Sequence, residues 1–319
     1  MKRIASVALG LGLVLGVAGA MAQAKKQLSI ATGGTGGVYY PLAGGFGAIL
    51  AKEAGGLAAT AEVTGGSVDN MKLIGAGKVD VAFTQVDTAV DAINGRDKFT
   101  AAKVPVRALA VLYTNYMQII TLDGSGIAKF EDLKGRRIST GSPGSGTEIF
   151  ALRLLEAAGI DKDVKRERLG AAESANALKD GKVDAFFFVS GVPTSAITDV
   201  AATPNVKMKM IDHEHLVAKI KEKHGPVYAP IVIKAGTYPN QATDNKVASV
   251  WNIMSVHENT PDELAYTLTK VMLEKRDDLA LVHKEALNIK PEIQRSELAG
   301  IPWHPGALKY FAEKGIKVD

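Results

Sequence analysis

The sequence predicts an α/β chain made of two similar lobes joined by two crossover segments. Three observations carry this expectation. Short apolar strands alternate with helical stretches along most of the 319 residues, the rhythm of a mainly parallel sheet with helices between its strands. The junction ATGGTGG at residues 31–37 returns as STGSPGSGT at 139–147, and GKVDVAF at 77–83 returns as GKVDAFF at 181–187, so both echoes lie about 105 residues apart. Two β-rich segments, Val106–Leu122 and Val227–Ile233, break the alternation on either side of the second repeat. Together these place one lobe at residues 25–114 plus 230–319 and the other at 115–229.

Residues 1–24 are set apart from the fold. Lys2 and Arg3 precede an apolar run from Ile4 to Gly19, and Ala20-Met21-Ala22 and Ala22-Gln23-Ala24 are small-x-small cleavage sites. That is the pattern of a secretory signal peptide. About 295 residues would remain, a length that suits two domains. Losing Lys2 and Arg3 takes the basic residues from 38 to 36 against 34 acidic ones. Such a balance gives no basic footprint for nucleic acid. The chain has no cysteine, which removes disulfides, thiolate metal ligands and a thiol nucleophile.

The elements follow in order. Leu28–Ala31 reads as a buried strand that stops at Thr32-Gly33-Gly34. A small-residue helix follows from Tyr40 to Glu53, with Leu42, Phe46, Ile49 and Leu50 at helical spacing. Thr60–Val63 is a strand, and Ser67 is suited to cap a helix through Met71 and Ile74. Val79–Thr84 is a strand, and Val86–Ile93 a helix stopped by Asn94-Gly95. After the first β-rich segment, Arg137–Thr140 is a strand and Glu148–Ala158 a helix. Ala185–Val189 is a strand, and Pro193 suits the first turn of the next helix. Lys207–Ile211 is a strand, and Asp212 is expected to cap a helix to Lys223. Val247–Val256 is an apolar strand. Thr260-Pro261 starts a long helix, and a last helix runs to Lys314.

In open α/β sheets, ligands sit at the carboxyl ends of strands, beside helix N-termini. Five such ends stand out here: 33–40, 64–70, 85–87, 142–147 and 189–194. They offer backbone N–H groups, hydroxyls, amides and two tyrosines, but no acid–base pair and no nucleophile–base constellation. The first turn of a helix has unpaired N–H groups that attract anions, each terminus contributing about 0.3–1 kcal/mol. This composition suits a binder of a carboxylate rather than an enzyme.

The segments ATGGTGGVYYPLAG, TGGSVDN, VAFTQVD, STGSPGSGTE, GVPT and HPGALKY together resemble the TAXI family of solute-binding subunits of TRAP transporters. The resemblance implies a two-lobed, clamshell periplasmic-binding-protein fold of type II, with hinges at the two crossovers. It implies a monomer in the periplasm that binds a glutamate-like or 2-oxoglutarate-like solute and hands it to TRAP membrane subunits. No cofactor and no metal are implied. By position it assigns ligand contacts to Thr35, Gly36 and Tyr39 or Tyr40 of the first loop, and to Asn70 and Gln85 of the same lobe. From the other lobe it assigns Ser142, Ser145, Gly146 and Thr147, with Gly191 and Pro193 on the rim. The competing readings are an ABC-importer receptor for an amino acid or organic acid, and an enzyme on the same bilobal scaffold.

Three further features are expected to be structural. His213-Glu214-His215 places its two histidines two positions apart, so on a helix they point apart. Trp303-His304-Pro305 reads as a turn, with a docking surface as the alternative. Lys219, Lys221 and Lys223 read as a solvated helix face.

Overall fold

The computed structural model describes residues 26–319, so the expected signal peptide lies outside the described residues. The chain forms one ten-stranded mixed sheet with helices against it. Its first part runs β1 (Lys26–Ala31), α1 (Tyr39–Glu53), β2 (Leu57–Glu62), α2 (Ser67–Gly75), β3 (Val81–Gln85) and α3 (Val86–Asn94). β1 pairs in parallel with both β2 and β3. The long strand β4 (Val106–Leu122) then leads into a second set. This set is β5 (Arg137–Ser139), α4 (Gly146–Ala157), β6 (Lys165–Glu167), α5 (Ala171–Lys179), β7 (Ala185–Ser190) and α6 (Ser195–Ala202). Here β5 pairs in parallel with both β6 and β7.

The two sets are copies in topology as well as in sequence. Asp80 of the first GKVD accepts from the Ser29 N–H at 2.8 Å, and Asp184 of the second accepts from the Arg137 N–H at 2.8 Å. Their own N–H groups donate to the carbonyls of the same two residues. Each aspartate thus ties the start of the third strand of its set to the first strand. The sheet order β2-β1-β3 then β7-β5-β6 places the copies back to back.

Between them run two strands that both sets share. β4 pairs antiparallel with β10 (Asn245–His257) along most of its length, with irregular register at Trp251/Ile253 and Met254/Ser255. β3 joins β10 through Asn252–Val256, and β7 joins β4 through Tyr116–Thr121. β8 (Met208–Met210) pairs with β4, α7 (Val217–His224) follows, and β9 (Tyr228–Ile233) pairs with β10. Helices α8 (Asp262–Glu274), α9 (Arg276–Ala280), α10 (Ser296–Ala299) and α11 (Pro305–Glu313) complete the chain.

The return between lobes was expected at Val227–Ile233. That segment is β9, which pairs with the first half of β10 at Asn245–Val250. Ile233, Tyr238 and Val247 pack in one apolar cluster with Ile120, Phe186 and Ile197 of the second set. We therefore place the boundary at Asn115/Tyr116 on β4 and at Val250/Trp251 on β10. The helix expected from Asp212 also starts later, after a short 3-10 turn at Glu214–Leu216. The Asp212 carboxylate accepts instead from Asn245 Nδ2 at 2.6 Å and the Lys246 N–H at 2.8 Å. It fastens β10 and is not free to cap.

A buried ion cluster joins α3 of the first set to α4 of the second. Arg153 of α4 faces Asp87 at 3.5 Å and Asp97 at 3.4 Å, and also pairs with Asp91. Its Nη1 donates to the Tyr228 hydroxyl at 2.6 Å, which donates to Asp87 at 2.7 Å. Burial pushes the Asp87 carboxyl up, and Arg153 and Tyr228 oppose that shift. Removing the cation would leave buried Asp87 without a counter-ion, Asp91 keeping Arg96 at 3.2 Å, at a cost of about 3–5 kcal/mol. Arg153→Met is therefore expected to lower the urea midpoint strongly, and a midpoint unchanged from wild type would contradict this.

His213 gives a pH signature. It is fully buried, its Nδ1 is 2.9 Å from the Ile211 carbonyl, and burial lowers its pKa to about 4. A histidine depressed in the folded state stabilises fully above its unfolded pKa of about 6.5, and that stability is lost as pH falls towards the folded value. Stability should therefore decline between pH 6.5 and 4 by up to about 3 kcal/mol from this group. Urea titrations of wild type and His213→Gln should show that part of the decline gone in the variant; parallel curves would contradict the assignment.

Candidate functional site

Parallel strands in both sets point their carboxyl ends into one gap, where a cavity of about 370 Å³ lies between the two sets. Four helices start at its wall. Its lining includes Gly37–Tyr39 at α1, Gly66 and Ser67 at α2, Ser145–Thr147 at α4, and Gly170 and Ala171 at α5. The ends of β3 and β7 supply Gln85, Phe188, Val189 and Ser190.

The four helix starts differ in how much their N–H groups have left to give. At α2, the Val68 and Asp69 N–H groups both donate to the Gly144 carbonyl of the opposite lobe at 3.1 Å. Asp69, third residue of that helix, accepts from the Gly65 N–H at 3.2 Å. At α5 the matching third residue is Glu173, whose carboxylate lies against Gly170 at its own helix start. Both helices thus carry an internal acid in the first turn, where the helix field favours one.

The other two helix starts are open. α1 begins Tyr39-Tyr40-Pro41, with no acid in its first turn. α4 has Glu148 in third place, but that carboxylate is neutralised. Arg168 meets it through Nε at 2.6 Å and Nη2 at 2.8 Å, and Arg166 meets it at 2.9 Å. The bond to Glu148 raises the Arg168 pKa further. Ser145 caps α4 by accepting from the Glu148 N–H at 3.1 Å. Among the described residues, the N–H groups of Tyr39, Tyr40, Gly146 and Thr147 have no protein partner.

Gln85 stands between them. It is 4 % exposed, and its Oε1 has no hydrogen-bond partner among the described residues. Its amide lies against Gly146, where a Cβ would come within 2.6 Å of it, so a larger residue at 146 would displace the Gln85 side chain. The Thr147 hydroxyl accepts from the Val189 N–H at 3.3 Å. The Tyr39 hydroxyl accepts from Asn115 Nδ2 at 3.2 Å, and its ring stacks edge-on to Phe83. Burial raises the Tyr39 pKa, against the opposing pull of the Asn115 bond, so the hydroxyl stays protonated at neutral pH.

The lobes meet at two seams beside the cavity. At one, Ser142 Oγ donates to the Gly65 carbonyl at 2.9 Å, and Gly66, at φ +123°, packs on Ser145. At the other, the Gly36 carbonyl accepts from the Ala196 N–H at 3.3 Å and Ser195 Oγ at 2.9 Å. The lobes are closed on each other.

Of the residues expected to contact a ligand, Tyr39, Gln85, Ser142, Ser145, Gly146 and Thr147 line the cavity. Thr35, Gly36, Tyr40, Asn70, Gly191 and Pro193 do not. Thr35 is exposed in the turn before α1. Gly36 serves the second seam. Asn70 is fully buried and fully engaged: its Nδ2 donates to the carbonyls of Thr32 at 2.6 Å and Phe83 at 2.7 Å, and its Oδ1 accepts from Thr64. It fastens the ends of β1 and β3. Gly191 packs on Tyr113 and Glu285, and the Pro193 carbonyl lies 3.1 Å from His283 Nε2. Arg168, Glu173, Phe188 and the α5 start were not expected. The GKVD echo holds the signal for α5, since the first copy directly follows α2.

The remaining features are structural. His213 is buried on Ile211, and exposed His215 lies 3.2 Å from Glu131. No group of metal-ligating side chains forms among the described residues. Trp303 bridges Ala108, and the His304 ring accepts from the Gly306 N–H to cap α11. Lys223 pairs with Glu156 at an exposed site. No helix of the described residues is long and apolar enough to cross a membrane.

Known structures share this architecture. A protein from Bordetella bronchiseptica RB50 aligns with a TM-score of 0.50 at 17 % identity, over 90 % of this chain and 89 % of that one. The periplasmic aliphatic sulphonate binding protein SsuA from Escherichia coli aligns at 0.48 and 16 %, over 91 % and 84 %. The substrate binding protein of an amino acid ABC transporter aligns at 0.48 and 13 %, over 83 % and 99 %. At such identities the likeness concerns the fold alone. The NMT1-like family matches residues 30–315, and the chain belongs to that family.

Proposed function

We propose that this protein is the extracytoplasmic receptor of a solute importer, and that it closes around a small carboxylate. The observation that carries this reading is the pairing of two open helix starts across one closed cavity. The N–H groups of Tyr39 and Tyr40, unpartnered among the described residues, lie at the α1 start of one lobe, and those of Gly146 and Thr147 at the α4 start of the other. The Gln85 Nε2 and the Thr147 hydroxyl are two further donor groups in the lining. One carboxylate shared by both lobes binds the closed form better than the open one, which is what ligand-driven closure requires. The volume lies at the small end of the roughly 300–1,000 Å³ usual for small-molecule sites. The loop motifs resemble those of receptors for glutamate-like or 2-oxoglutarate-like solutes, which makes amino acids and 2-oxo acids the first carboxylates to test.

Two membrane partners are compatible with such a receptor, an ABC importer and a TRAP transporter. The TRAP reading rests on the loop motifs alone. Proteoliposome uptake separates them, because one partner needs ATP and the other an ion gradient.

A ligand that binds only the folded protein raises its melting temperature by mass action. Carboxylates are therefore expected to stabilise the purified protein in a thermal-shift screen, and neutral sugars to leave it unmoved; the reverse result would contradict the reading. Gln85→Ala and Thr147→Ala each remove about one hydrogen bond to a charged ligand, so affinity should fall about tenfold. Wild-type affinity in both, measured by calorimetry, would show that the carboxylate binds elsewhere.

A further inference from the structure

Resting on that reading, we propose that the solute is a monocarboxylate with an apolar body, and that Phe188 is a main determinant of that choice. Beyond α1, α4, Gln85 and the charged pair Arg168 and Glu173, the polar side chains of the lining are the hydroxyls of Thr64, Ser67, Ser142 and Ser190, the first three bonded within the protein. Most of the surface presented elsewhere is apolar, and it includes Val38, Val63, Leu169, Ala171 and Phe188. Phe188 is half-buried, and its ring tip lies against Gly37 at the start of α1. One edge of the ring is thus fixed by the first lobe while the rest lines the cavity. Such a wall gains by covering hydrocarbon and loses by covering a charge.

The charged residues of the lining give a second carboxylate nothing to bind. Only Arg168 and Glu173 carry charge among the lining residues. Arg168 is held two-pronged by Glu148 and shares that carboxylate with Arg166, so the surplus positive charge of the group lies at the α4 start, beside the proposed carboxylate head. Glu173 is negative and sits at the α5 start, against Gly170. With the surplus cation placed at the α4 start for the first carboxylate, a dicarboxylate would have to set its far charge on an apolar wall beside Glu173. A branched or aromatic end meets no such obstacle.

The test is calorimetric titration with two 2-oxo acids that share one head group, 4-methyl-2-oxopentanoate and 2-oxoglutarate. The expected result is at least tenfold tighter binding of the branched acid, falling by about tenfold in Phe188→Ala while the melting temperature of the empty variant stays near wild type. If Phe188→Ala does not fold, the wild-type preference alone decides. Equal or tighter binding of 2-oxoglutarate would overturn the apolar-body proposal and leave the carboxylate receptor standing. A cleft that takes an alkanesulfonate of the same chain length in preference to either acid would overturn the carboxylate head itself. Absence of binding by every carboxylate would overturn the receptor reading along with this one.

Discussion

β4 and β10 are hydrogen-bonded to each other through the middle of the molecule, and both lobes complete their sheets on that one pair. β3 attaches to one half of β10, while β7 and β8 attach to one half of β4. Because the two sets of parallel strands hang from the same ribbon, their carboxyl ends are brought to a common gap. Two chain passages in a single antiparallel ribbon twist together, and the register breaks at Trp251/Ile253 mark where pairing already departs from regularity. Asn115 lies on this boundary and donates to the Tyr39 hydroxyl in the cavity wall, so the ribbon and the wall are one hydrogen-bonded system. Asn252, its neighbour on β10, donates to the Tyr113 carbonyl at 2.6 Å and holds the two strands together there.

Four helix starts around one gap make competition for N–H groups the deciding electrostatic question. Each terminus is worth about 0.3–1 kcal/mol to an anion, more where water is excluded. At α2 and α5 that capacity goes to Asp69 and Glu173, acids of the protein itself. At α2 it also goes to the Gly144 carbonyl across the seam. At α4 the internal acid Glu148 is paired with two arginines, and at α1 there is none. The asymmetry between otherwise equivalent repeats therefore selects α1 and α4 as the places where an external anion gains most. Closure does not depend on the anion alone, since Arg153 and its three aspartates span the lobes behind the cavity.

Much of this was legible in the sequence because it depended on local chemistry. Glycine-rich turns after short apolar strands mark helix starts, and their repetition about 105 residues on marks two lobes. What was not legible depended on long-range pairing. Val227–Ile233 has the composition of a crossover, but only its partner on β10 shows it to be an added strand. Asn70 looks like a ligand-reading amide until its three bonds to Thr32, Thr64 and Phe83 are seen. Arg168 and Glu173 lie in a stretch with no strong periodicity, and their place in the wall follows from α5, which the GKVD echo implied. Of Tyr39 and Tyr40, which are adjacent and chemically alike, the fold turns Tyr39 to the cavity.

The central claim is that an external carboxylate is held by the N–H groups of α1 and α4, one from each lobe. Backbone amide resonances of the intact protein, followed while a bound carboxylate is titrated in, test it most directly. Tyr39, Tyr40, Gly146 and Thr147 should shift downfield together and become protected from exchange, with Val68 and Asp69 little changed because they already donate to Gly144. Shifts confined to one lobe, or centred on Val68, Asp69 and the start of α5, would contradict it.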